Sequence, residues 1–90
     1  MANNAVLRTI DLTSTWVPLA DEPLVANVTL ILTSTGGFAM SGADFMIRQG
    51  TATSRWPMGE PVKLSGLDLS TIEVRTTYSD MRLALIGNTR

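Results

Sequence analysis

Leu24-Val25-Ala26-Asn27-Val28-Thr29-Leu30-Ile31-Leu32 is the stretch on which the fold turns. Leu24, Ala26, Val28, Leu30 and Leu32 alternate with Val25, Asn27, Thr29 and Ile31. An extended chain therefore shows one wholly apolar face and one mixed face, which is the period of a strand whose first face is core. This is also the most apolar stretch of the chain, and with Asn27 and Thr29 inside it falls far short of the roughly 20 apolar residues of a membrane-spanning helix.

The same grammar extends in both directions. Upstream, Ala5 to Leu12 places Val6, Arg8, Ile10 and Leu12 on one face and Leu7, Thr9 and Asp11 on the other, a second strand. Trp16-Val17-Pro18-Leu19 reads as a short extended piece, and Ala20-Asp21-Glu22-Pro23 as a turn. Downstream, Thr33 to Gly37 supplies turn residues, and Phe38-Ala39-Met40 and Phe45-Met46-Ile47-Arg48 read as strands around a break at Ser41 to Asp44. Gln49 to Glu60, polar around Arg55-Trp56-Pro57, reads as a long loop with one aromatic.

Val62-Lys63-Leu64, Ile72 to Thr76 and Met81 to Ile86 complete the set, the last two joined by Thr77-Tyr78-Ser79-Asp80, a connection short enough for an antiparallel hairpin. No window reads as a helix of useful length. The expectation is an all-β chain, a small single-domain β-sandwich or β-barrel of about seven short antiparallel strands covering residues 1–90, with no internal repeat or linker.

Composition narrows the function. A 90-residue chain buries only roughly 60–65% of its unfolded surface, so domains of this size lean on disulfides, metals or partner subunits. With no cysteine and no histidine, disulfides are excluded and the common zinc sites cannot be built, which leaves partner subunits. The same absences remove the imidazole base and thiolate nucleophile of the usual catalytic triads. The carboxylates Asp21, Glu22, Asp44, Glu60, Asp68, Glu73 and Asp80 fall mostly at turns or on outward strand positions, where solvation is the simpler reading. We expect no enzyme, cofactor or metal.

Other motifs resolve into backbone grammar. Thr35-Gly36-Gly37 lacks the lysine and following helix of a phosphate loop, and Asp44 and Asp68 near Gly42 and Gly66 match no calcium loop. Asn27-Val28-Thr29 matches a glycosylation sequon, but inside a strand of a chain whose Met1-Ala2-Asn3-Asn4 opening has no secretory character. Seven basic and eight acidic side chains are scattered, giving a formal net charge of −1 and no footprint for nucleic acid. Arg48, Arg55 and Trp56 could form a sugar- or partner-facing patch; the simpler alternative packs Trp56 down on the sandwich. Trp16 is expected to close one end of the core. The absence of cysteine fits synthesis in a reducing cytoplasm.

The order of Ser14-Thr15-Trp16-Val17-Pro18-Leu19, Pro23-Leu24-Val25-Ala26-Asn27-Val28-Thr29, Gly42-Ala43-Asp44-Phe45-Met46-Ile47-Arg48, Trp56-Pro57-Met58-Gly59-Glu60 and Leu67-Asp68-Leu69-Ser70-Thr71-Ile72-Glu73-Val74-Arg75 resembles that of small virion proteins of tailed bacteriophages. The resemblance implies a compact β-sandwich seated on or between capsid or tail subunits. A capsid decoration (cement) protein on the head surface is the leading version, made in the host cytoplasm and partnered by the major capsid protein or other virion proteins. A tail or neck component and a carbohydrate- or receptor-binding module are the alternatives. It further implies a homo-oligomer, an interface including Arg48, Arg55, Trp56 and Pro57, and docking through the N-terminal strand with Val6 and Ile10.

Overall fold

In a computed structural model, residues 5–34, 43–57, 59–78 and 81–89 are described. The strand expected at Phe38 to Met40, the tip of the turn after Ser34 and the carboxylate of Asp80 lie outside them. The strands are β1 (Ala5–Leu12), β2 (Val17–Pro18), β3 (Val25–Ser34), β4 (Asp44–Gln49), β5 (Ala52–Pro57), β6 (Val62–Asp68), β7 (Ile72–Arg75) and β8 (Met81–Thr89), with a 3-10 turn at Leu69–Thr71.

They form two four-stranded antiparallel sheets, β1-β8-β3-β6 and β2-β7-β4-β5. The all-β sandwich expectation holds, with eight strands among the described residues rather than about seven. Ala26, Val28, Leu30 and Leu32 of β3 are buried, as the alternation requires, and meet Leu83 and Leu85 of β8 and Phe45 and Val74 of the opposite sheet in one core cluster. Leu24, just before the strand, packs at its margin.

Two expectations are corrected. Residues 52–57 are a strand rather than loop: β5 runs back along β4 from Gln49↔Ala52 to Asp44↔Pro57. Gly50, at φ 61°, supplies the positive φ that a two-residue hairpin turn demands at its first position. As an edge strand with Ala52 to Arg55 all exposed, β5 has no apolar alternation to announce it.

The second correction concerns β7 and β8, which do not form a hairpin. β7 pairs with β2 and β4, and β8 with β1 and β3, so Thr76 to Tyr78 carries the chain from one sheet to the other. Thr76 anchors that corner: its N–H donates to Thr13 O at 2.9 Å and its hydroxyl to Asp44 O at 2.7 Å.

At Asn27 the β3–β6 register shifts between Ala26 and Val28, and the Asn27 side-chain oxygen accepts from Gly66 N–H at 2.7 Å. The sequon asparagine therefore holds a bulge. Asp68 works similarly at the end of β6, accepting from Leu24 N–H at 3.0 Å and from the Ser70 N–H and hydroxyl as N-cap of the 3-10 turn.

Candidate binding surfaces

Among the described residues the sandwich is open along one flank. β5 and β6 are the outermost strands of their sheets, and between them lies a cleft of about 290 Å³. Its floor is apolar: Ile47 and Ile72 from one sheet, Val62, Leu64 and Leu67 from the other, and Trp56 from β5. Gln49, Thr53 and Ser54 form a polar rim, which Arg48 also borders. Ile47, Trp56, Leu64 and Leu67 are only partly buried, and no strand among the described residues closes over them. The size lies at the lower end of ligand clefts, and both bordering strands have backbone groups on their open sides.

Trp56 faces this gap. Its ring packs against the core cluster and its indole N–H donates to Glu60 O at 2.8 Å. It is thus part of the cleft wall and not the flat exposed platform on which a sugar ring stacks. Pro57 ends β5 beside it, exposed.

Arg48 and Arg55 alternate to the opposite side of the sheet, away from Trp56. Arg48 binds Glu73 at 2.8 Å and lies 4.3 Å from the centre of the Trp16 ring; Arg75 stacks on the same ring at 4.9 Å. The Arg75 Nε is buried and has no hydrogen-bond partner among the described residues. Arg55 is exposed and stands 3.7 Å from Asp44. Trp16, expected at the end of the core, instead lies under two guanidinium groups on the outer face, where cation–π attraction holds the three side chains together. The residues expected as one patch are only partly brought together: Trp56 lies toward the cleft and Arg55 on the charged outer face, while Arg48 borders the cleft but turns its guanidinium to Glu73 and Trp16 on the outer face.

The N-terminal strand is an edge, as docking by strand addition requires, but Val6 and Ile10 are not its contact residues. Val6 is 5% exposed and Ile10 packs against the core, because the apolar face of β1 is the one the sandwich buries. Leu7, on the alternate face, is 72% exposed. Arg8 is on the inward side but reaches solvent beside Asp21 and Glu22. An inward-pointing charge on an edge strand discourages indiscriminate pairing.

Among the described residues no group of three or more Asp and Glu side chains is placed to hold a metal ion, and no helix is long and apolar enough to cross a membrane. The Asp68 carboxyl is held below its ordinary value of 3.8, first by the Leu24 N–H and then by the Ser70 hydroxyl and N–H, which favour the charged form. Compared with known proteins, the chain matches no family model, no curated protein and no solved structure.

Proposed function

We propose that this protein is a non-enzymatic virion structural protein, a capsid decoration protein of a tailed bacteriophage that docks on the head shell and stabilises it. The observation that carries this reading is the open flank. A core that ends in an apolar cleft between two strand edges is suited to receiving an extended segment of another protein, whose backbone continues a sheet while its side chains fill the cleft. The composition and the resemblance in the order of the Trp16, Asp44, Pro57 and Leu69 segments support the same reading. A small domain that binds only the folded shell stabilises shell and domain together by mass action.

Co-sedimentation of the purified protein with intact phage heads tests it. Binding in stoichiometric amounts, with greater resistance of the heads to heat, is the expected result. Thr53→Glu and Ser54→Glu, on the exposed rim, should weaken binding without unfolding the domain. Failure to bind heads at any protein concentration would overturn the decoration role; binding to isolated tails instead would move the protein to the tail or neck.

A further inference from the structure

The outer face of the β1-β8-β3-β6 sheet carries a second apolar surface, separate from the flank. Leu7 pairs with Ile86 and Ile86 with Thr29 in one cross-strand row; Thr9, Ala84 and Ile31 make the next. Leu7 and Ile86 are 72% and 51% exposed. Their side chains stand on the far side of the sheet from the core, so the fold does not account for an aliphatic pair there. Thr, itself β-branched, would serve strand formation at such positions and keep them wet.

Charge is confined to the margins of the face: Lys63 on β6 ends the first row, opposite Thr29. Beyond Thr9 and Ala84 stand Asp11 and Arg82, bound to each other at 2.9 Å. On the other side Asn27 pairs with Asn88. The middle of the face is uncharged and the charge pair at its end is internally neutral.

We infer that this face is covered by a second copy of the chain, packed sheet on sheet in a two-fold dimer. Charge complementarity favours the identical partner: a surface that is neutral in its middle and compensated at its end meets itself without opposing like charges, apart from the peripheral Lys63. Area also suffices. Four strands at about 4.8 Å spacing, with about eight residues each at about 3.3 Å rise, offer a face of about 500 Å². Two copies then bury about 1,000 Å², the lower bound for a specific interface. The pairing adds apolar burial outside the core to a 90-residue chain whose own sandwich buries a small one. It leaves the cleft between β5 and β6 open, so it stands whether or not that flank binds a shell.

Sedimentation equilibrium of the full chain from about 1 to 300 µM tests the pairing, over the range where an interface near the lower size bound dissociates. The expected result is a mass rising from 9.7 kDa toward twice that value. Ile86→Lys should weaken association about tenfold or more, with circular dichroism and Tm at low concentration unchanged. Leu7→Ser, at the more exposed position, repeats the test if the lysine variant folds poorly; Thr53→Glu on the flank should leave the dimer intact. A monomer throughout, a ring of three or more copies, or a dimer indifferent to both Ile86→Lys and Leu7→Ser would overturn the proposal. A monomer whose binding to phage heads is lost in Ile86→Lys would assign the face to the shell instead.

Discussion

The Thr76 hydroxyl donates to the Asp44 carbonyl at 2.7 Å, tying the corner after β7 to the start of β4, and Thr76 is only 1% exposed. The same oxygen accepts from Tyr78 N–H at 3.2 Å, so one side chain satisfies two backbone groups at the passage between sheets. Thr76→Val keeps the shape and removes both bonds. It should cost about 1–3 kcal/mol, read as a lower urea midpoint at unchanged slope, whereas Thr76→Ser should recover most of the loss.

Gly87 of β8 is fixed by the bulge opposite. A Cβ there would overlap Asn27 O and lie 2.7 Å from Val28 Cα, both backbone atoms with no rotamer to give way. Gly87→Ala should destabilise by about 3 kcal/mol, the upper end for overpacking. Gly50→Ala meets no atom within 4 Å and is strained only through its φ of +61°. Chemical denaturation of the two variants should rank Gly87→Ala as the more damaging.

Phe45 and Leu7 separate fold from surface. Phe45 is fully buried between the sheets, so Phe45→Ala should cost about 3–5 kcal/mol, a large share of the total for a domain of this size. Leu7→Ala should change monomer stability by less than about 0.5 kcal/mol, measured at a concentration where self-association is negligible.

Asp68 gives the chain an acid-sensitive joint. Its folded pKa is depressed, so the unfolded chain takes up the proton first. The stability this group contributes is complete above the ordinary carboxylate range and is lost as pH falls below its unfolded value of 3.8 toward the lower folded value. Asp68→Ala should lower Tm at neutral pH and flatten the part of the acid limb that Asp68 governs. A Tm profile between pH 2 and 7 of both proteins checks the sign; an equal slope in the two would show that Asp68 is not the group responsible.

The strands with a buried face were legible because burial writes alternation into sequence. β3 and β8 show it most plainly: Ala26, Val28, Leu30 and Leu32, and Met81, Leu83 and Leu85, are all core. β5 was not legible, since a polar edge strand is held by backbone pairing with β4 and leaves no mark in hydropathy. The candidate surfaces were legible only in part. Trp56 does line the open flank, but the signal placing Val6 and Ile10 at an interface was the signal for core, and Leu7 on the other face of the same strand received no weight. A pairing of Leu7 with Ile86 could not be seen without the register between β1 and β8.

The sequence by itself determined an all-β chain, the inward faces of its main strands, and the absence of disulfide, thiolate and imidazole chemistry, because periodicity and composition are local properties. Tertiary structure alone decided which sheet each strand joins, that the link from β7 to β8 crosses the sandwich, that β5 and β6 border a cleft among the described residues, and that Trp16 is held beneath Arg48 and Arg75. The physical reason is that alternation tells a strand which side to bury but not which neighbour will satisfy its backbone. That choice rests on the packing of the whole core and on single long-range bonds such as the one from Thr76 to Asp44.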